Sequence, residues 1–415
     1  MHRNQKIIII GNYPFPYGGV PVLVKSLSKY LSNNNYNVSV VSGGTSGIQK
    51  INDNLRIIKP TIIYRLKIML FKIGFLKKII KLIPLKSYIK NFKYNLRIIT
   101  YSLLVNDLTV NNKSTTIICF NLFNYGVIGG IVKKYSPNIK LSVFNFGEIF
   151  SLKDHPKTYK KLYQDVVNNI DLKLSMTKHC GNIYQILKNE YDFKTDDSIE
   201  LIIPGVNLDE FSTGKTLDQL YLSRTELKTL NTNILYVGRI TEELGVRFLI
   251  NAINILFKDQ TNKNNLKFTF VGQKAELVDE VLNLKKKFPE NIELFLNVTN
   301  DFLKSAIKNS DFLVAPSINE RACGCLVATE AGALGKTIIA ANVGGIPEYV
   351  LDNNNGLLFK PNDINDFVNK ILKLSTDKVF LKELQQNNFK LVKEKFNMKN
   401  FNEKFFKKLK TNQLI

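Results

Sequence analysis

Glu320 and Glu330 bracket a run of small residues, Ala322-Cys323-Gly324-Cys325, that leads into a helical pattern. Carboxylates accept hydrogen bonds from vicinal hydroxyls, the chemistry needed to grip a sugar or ribose ring. Solvated surface acids are the competing reading, and the small apolar neighbours argue against it. Arg239 follows the strand pattern Asn233–Gly238, where a guanidinium can take a phosphate in a bidentate manner. A surface pairing with Glu242 or Glu243 is the plainer alternative. Gly18-Gly19 lies between a strand pattern and a helix pattern, so a phosphate could approach backbone N–H groups at a helix start. A tight turn would also account for the pair, and the sequence is not a G-x-G-x-x-G dinucleotide fingerprint. The four cysteines, at 119, 180, 323 and 325, and the three histidines have no metal-ligand spacing, so no metal is expected. Cys323 and Cys325 read as small side chains beside Gly324, because a redox pair one residue apart would be strained.

These residues need elements to hold them. Ile7–Ile10, a glycine turn, a helix around Val22–Leu31 and a strand at Val38–Val41 make a βαβ unit of a parallel sheet. Buried-strand patterns follow at Arg56–Ile58, Thr116–Cys119, Leu141–Phe144, Leu172–Met176 and Leu201–Ile203. The alternation restarts at Asn233–Gly238 and continues through Phe268–Gly272, Ile292–Leu296, Phe312–Ala315 and Thr337–Ala340. The fold class is therefore α/β with two doubly wound, Rossmann-like domains facing a cleft. Ligands are expected beyond the carboxyl ends of the strands. The polar stretch Phe211–Leu230 holds or follows the linker, and Val379–Leu409 reads as an amphipathic surface helix or pair.

The length, 415 residues, allows two or three domains with real cores. Apolar residues at 44% exclude disorder, and 58 Lys and Arg against 35 Asp and Glu give a net charge of +23, which attracts phosphates. Nucleic acid is not the expected partner, since no basic motif interleaved with aromatic residues appears. Four cysteines suit a reducing cytosol. The apolar run Ile7–Ile10 is too short for a signal peptide, and no run is long enough to span a membrane.

Read together and in order, Tyr236-Val237-Gly238-Arg239, Pro316-Ser317 with Glu320, Glu330-Ala331 with Gly335, and Gly344-Gly345-Ile346-Pro347-Glu348 resemble glycosyltransferase family 4, retaining enzymes of the GT-B fold. Ile202–Asn207 with Phe211 resembles that family's inter-domain strand, and Asn355–Phe359 its late turn. The resemblance implies an acceptor-binding domain at 1–207, a nucleotide-sugar-binding domain at 208–395, and a C-terminal helix, 396–415, returning to the first. It also implies that Glu330 binds the ribose hydroxyls and Glu320 the transferred sugar. Arg239, Gly18, Gly19 and Lys274 would hold the diphosphate, and Gly324, Leu326 and Val327 would border the donor. Asn145 and Glu148 would face the acceptor. Glu320 and Arg239 would be the catalytic pair, with no cofactor beyond the UDP- or GDP-sugar substrate.

Three features depart from the family pattern. Nine residues separate the two glutamates, more than the family holds; Leu244 stands where a second diphosphate cation is usual, leaving Lys274 or Arg247 to replace it; and no His occurs in Phe144–Glu148. The expected activity is transfer of a sugar to a hydroxyl of a lipid-linked or surface-polysaccharide acceptor, as in lipopolysaccharide or capsule synthesis. A non-catalytic partner of an active transferase and a same-fold nucleotide-sugar epimerase are the rival readings.

The last expectation concerns residues 65–101. Between Asp53 and Asp107 the chain has twelve Lys and Arg and no acid. On a helix, Lys67, Lys77, Lys78 and Lys81 fall on one side and Ile68, Phe71, Phe75, Ile79 and Leu82 on the other, before Pro84 breaks it. This pattern suits a helix lying on an anionic membrane surface, with the protein cytoplasmic and peripheral on the inner face of the cytoplasmic membrane. Packing of the apolar side on the N-terminal sheet is the alternative.

Overall fold

Four consecutive isoleucines, Ile7–Ile10, are wholly buried in β1 (Lys6–Ile10), as expected for a central parallel strand covered on both faces. The computed structural model describes residues 5–13, 19–43, 47–84, 87, 91–110, 114–146, 155–196, 198–211, 231–319 and 322–415. The chain divides into two units, residues 1–203 with 401–415, and residues 204–400.

The first unit is built on an eight-stranded sheet. Its strands are β1, β2 (Asn37–Val41), β3 (Gly47–Asn52), β4 (Leu55–Lys59), β5 (Thr115–Phe120), β6 (Lys140–Asn145), β7 (Leu172–Ser175) and β8 (Glu200–Leu201), in the spatial order β3-β4-β2-β1-β5-β6-β7-β8. All pairs are parallel except β3 with β4. The edge strand β3 is a feature the sequence did not announce, because its side chains, Ile48 and Ile51 included, are exposed and show no alternation of apolar and polar residues. Phe401, Phe405 and Leu409 of the last helix are wholly buried in this unit; Phe405 stacks on Phe120 and Phe401 meets Phe144 edge-on. Beyond the helix, the Leu414 carbonyl accepts hydrogen bonds from Gln5 Nε2 and from Thr116 Oγ1.

The basic segment forms not one helix but helices Ile62–Phe71, Ile73–Ile80 and Phe92–Thr109. The first helix ends at Lys72, before Pro84 can act, and Lys72 pairs with Asp107 at 2.8 Å. Ile68 and Ile79 are buried in the unit's core, with Phe75 and Leu82 packed against it. The apolar side drawn from the sequence therefore belongs to the core, which corrects that part of the expectation. Phe71 is the exception, 82% exposed beside Leu70 at 70% and Ile73 at 52%.

The second unit holds β9 (Thr232–Val237), β10 (Leu266–Gly272), β11 (Ile292–Leu296), β12 (Phe312–Ala315), β13 (Thr337–Ala341) and β14 (Leu357–Phe359), all parallel, in the order β11-β10-β9-β12-β13-β14. The order reverses between β9 and β12: the chain leaves β9 toward β10 and β12 toward β13, in opposite directions, and open parallel sheets bind ligands at such a switch point, beyond the carboxyl ends of the strands.

Candidate functional site

The loop after β9 turns sharply, held by its own atoms. Tyr236 OH donates to the Arg239 carbonyl at 2.7 Å, and the Gly238 N–H donates to the Val271 carbonyl at 3.1 Å. The loop ends at Gly245, with φ +77°, before helix Val246–Leu256. A Cβ there would lie 1.8 Å from the Pro316 carbonyl oxygen, so the loops after β9 and β12 touch backbone to backbone.

Arg239 is exposed, and its Nη2 lies 3.8 Å from Glu243 Oε2. That pair is long and solvated, which leaves the guanidinium free to take an anion. Arg247 is different: its Nε donates to Glu242 Oε2 and its Nη1 to Glu280 Oε2, both at 2.6 Å. Two carboxylates already neutralise it, so the expectation that Arg247 replaces the missing cation at Leu244 is corrected. Lys274 lies just beyond β10, exposed. The carbonyl of its neighbour Gln273 accepts a hydrogen bond from the Ile240 N–H at 3.2 Å, which brings the loop after β10 beside the loop of Arg239.

On the other side of this switch point, Gly324 and the half-buried Leu326 and Val327 lead into helix Leu326–Ala333. The first N–H groups of a helix have no partner within it and carry a partial positive charge. Glu330 stands on this helix, half-buried, with no hydrogen bond or ion pair among the described residues. Burial alone pushes its carboxyl up to about 7. Burial likewise pushes the Cys325 thiol up to about 12, so it is an inert packing group and the redox alternative has no support.

The helix is fixed by residues that the motifs did not single out. Asn388 Nδ2 donates to the carbonyls of Ala328 at 3.1 Å and Lys336 at 2.8 Å, and its Oδ1 accepts from Asn355 Nδ2 at 3.0 Å. A Cβ at Gly332 would approach Val392 Cγ2 to 2.6 Å, so glycine lets helix Lys378–Glu394 pack close behind Glu330. The signal for this support was a buried Asn among apolar positions of an amphipathic helix.

Other assigned residues fall differently. Gly19 begins helix Gly19–Asn33, while Gly18, Glu148 and Glu320 lie outside the described residues. Asn145 is wholly buried, and its Nδ2 donates to the Leu174 carbonyl at 3.1 Å and Tyr184 OH at 3.0 Å. Its side chain therefore organises the core instead of facing an acceptor, a correction to its assigned role. Lys77, Lys78 and Lys81 are exposed, with Lys78 also 5.2 Å from the Tyr135 ring centroid. Among the described residues no group of three His, Cys, Asp or Glu side chains is placed to hold a metal, and no helix is long and apolar enough to cross a membrane.

Residues 222–391 match the family model described as glycosyl transferases group 1. The lipopolysaccharide 1,2-N-acetylglucosaminetransferase of Salmonella typhimurium is 30% identical over 188 residues, 43% of this chain and 48% of that protein. The D-inositol 3-phosphate glycosyltransferase of Corynebacterium diphtheriae is 27% identical over 205 residues, 48% of this chain and 47% of that protein. The chain thus spans about half the length of the curated relatives it matches. Among solved structures, sucrose-phosphate synthase from Thermosynechococcus elongatus superposes with a TM-score of 0.72 at 17% identity, covering 98% of each chain. Anabaena Alr3699/HepE, solved in complex with UDP, has a TM-score of 0.69 at 14% identity over 98% of this chain and all (100%) of that one. In its fold the chain is a GT-B protein, two Rossmann-like α/β units of which the second matches the glycosyl transferases group 1 model.

Proposed function

We propose that the chain is a retaining glycosyltransferase that moves a sugar from a UDP- or GDP-sugar to a hydroxyl of a lipid-linked or polysaccharide acceptor. The observation that carries this reading is the half-buried carboxylate of Glu330, unpartnered among the described residues, on the helix that follows β12 at the switch point of the sheet. Ribose hydroxyls would give that carboxylate the hydrogen bonds it lacks. Arg239 and the N–H groups of Leu326 and Val327 supply positive potential for the diphosphate. As the bond from the anomeric carbon to the phosphate oxygen breaks, negative charge grows on the leaving diphosphate, and these groups stabilise it. The acceptor oxygen forms the new bond and its proton passes to the departing phosphate. Glu320 is assigned to the transferred sugar from the sequence alone, and Lys274 to the diphosphate.

The acceptor class follows the Salmonella relative, whose name gives lipopolysaccharide as its substrate. Exposed Leu70, Phe71 and Ile73 with Lys67, Lys77 and Lys81 support contact of the first unit with an anionic membrane surface. Thermal-shift measurement with UDP, GDP, ADP and their sugars tests the donor assignment, because a ligand that binds only the folded state raises the melting temperature. One nucleotide should do so alone. No shift with any of them would favour a chain that has lost transfer.

A further inference from the structure

The first unit has a switch point of its own. β2 lies on one side of β1 and β5 on the other, and the residues just past these strand ends are tied together. Tyr13 N–H donates to Ser42 Oγ at 2.8 Å, Tyr101 OH to the Ser42 carbonyl at 3.2 Å, and Tyr125 OH to Asn12 Oδ1 at 2.6 Å. Two guanidinium groups are brought to this floor by different helices. Arg65 lies 5.4 Å from the Tyr101 ring centroid, oriented by an Nε donation to the Pro60 carbonyl at 3.1 Å. Arg97, one turn before Tyr101, lies 5.5 Å from the Tyr94 ring and donates through Nη2 to Asn124 Oδ1.

Neither arginine has a carboxylate partner among the described residues, in contrast to Arg247 with two. The Nε–H of Arg97 is moreover buried with no acceptor among the described residues. A buried, unsatisfied donor on a charged group is rare and calls for a missing acceptor. The turn that presents Asn124 is itself strained: Asn121 has φ +92°, outside the range comfortable for a residue with a side chain, and leads into the π-helical turn Leu122–Gly126. Strain kept at a strand end beside two unneutralised cations is the signature of a binding site rather than of a stabilising contact.

We propose that Arg65 and Arg97 form a phosphate-binding acceptor subsite, so that the acceptor carries a phosphomonoester group close to the hydroxyl that is glycosylated. A phosphomonoester near neutral pH carries close to two negative charges, which matches two guanidinium groups, and its oxygens can accept the free N–H donors in bidentate fashion. The aromatic rings of Tyr94 and Tyr101 hold the guanidinium planes and leave their edges to the ligand. The word acceptor rests on the glycosyl transfer proposed above; phosphate binding does not.

Phenylglyoxal labelling of the full wild-type chain, read by peptide mass spectrometry, tests the site without any substitution. Inorganic phosphate and glucose 6-phosphate should slow labelling of Arg65 and Arg97 about tenfold, as bidentate phosphate binding occupies both groups. Glucose should not slow it, and Arg247 should label at one rate throughout. Vesicles of phosphatidylcholine with phosphatidic acid form a second arm. Protection by those vesicles alone assigns the phosphate to a lipid headgroup, and protection by the soluble phosphates assigns it to a free acceptor. Equal labelling rates with and without every phosphate probe would overturn the proposal. R65Q and R97Q should each lose protection at the remaining arginine while keeping the nucleotide thermal shift. Loss of that shift in the wild type would count against the donor assignment and leave the labelling result standing.

Discussion

The backbone of Gly245 lies so close to Pro316 that a single added carbon would sit 1.8 Å from the proline carbonyl oxygen. This contact joins the loops after β9 and β12, the two that carry Arg239 and lead to Glu330. Gly245→Ala has to move one of them and also place a Cβ at φ +77°. We expect a loss of at least about 2 kcal/mol in stability, together with weaker nucleotide binding. Gly74→Ala is the control, since nothing lies within 4 Å of its added carbon. On helix Ile73–Ile80 that change should stabilise by roughly 0.5–1 kcal/mol, measured by urea denaturation.

Glu330→Gln should separate stability from binding. Burial raises the folded-state carboxyl to about 7 from 4.5, so the folded protein holds a proton that the unfolded chain releases. Stability contributed by the protonated form is complete below pH about 4.5 and falls as pH rises to about 7. The glutamine variant lacks this loss and should be roughly 1–3 kcal/mol more stable than wild type at pH 8, with the two converging near pH 4.5. Its nucleotide affinity should fall about tenfold or more, because a charge-assisted acceptor of hydroxyl donors is gone. A variant as pH-dependent as wild type would remove the burial argument.

Arg239→Ala should weaken UDP or GDP much more than the free nucleoside. Among the described residues the exposed guanidinium has a 3.8 Å contact to Glu243 and a longer-range attraction to exposed Glu276 to lose, so folding stability should change by less than about 0.5 kcal/mol. Isothermal titration with both ligands decides it, and equal losses would speak against contact with the diphosphate.

Substitution of Leu70, Phe71 and Ile73 by serine should release the protein from anionic vesicles in a sedimentation assay without lowering its melting temperature, as these side chains are already in water. Lys77, Lys78 and Lys81 changed to Glu should do the same in a salt-dependent way. Ile79→Ser should instead unfold the first unit, since Ile79 is wholly buried and its loss costs about 2–4 kcal/mol. Retained vesicle binding in both surface variants would count against this surface.

The strands most easily read from the sequence were those buried on both faces, such as Ile7–Ile10 and Phe312–Ala315, because a short apolar run bounded by turns fits little besides a covered strand. β3 was not legible, since an exposed antiparallel edge needs no apolar pattern. Arg239 and Glu330 stood out by type and spacing, yet the sequence could not tell that Arg247 is held by two carboxylates. Nor could it separate Arg65 and Arg97 from ten other cations of a basic run. What distinguishes those two is their place past the strand ends of the sheet, each against a tyrosine ring, with the Nε–H of Arg97 buried and unsatisfied among the described residues. The amphipathic pattern over Ile68–Leu82 was real, but periodicity shows only that one side is covered and does not name the cover.

The burial of Phe401, Phe405 and Leu409 in the first unit, with Leu414 bonded to Gln5 and Thr116, bears on the order of events during synthesis. Residues 204–400 form a continuous stretch that can fold as soon as it leaves the ribosome. The first unit, though translated earlier, waits for residues 401–415 to cover Phe120 and Phe144. A released chain truncated after residue 400 should therefore carry a protease-resistant second unit behind a first unit that is still readily cut.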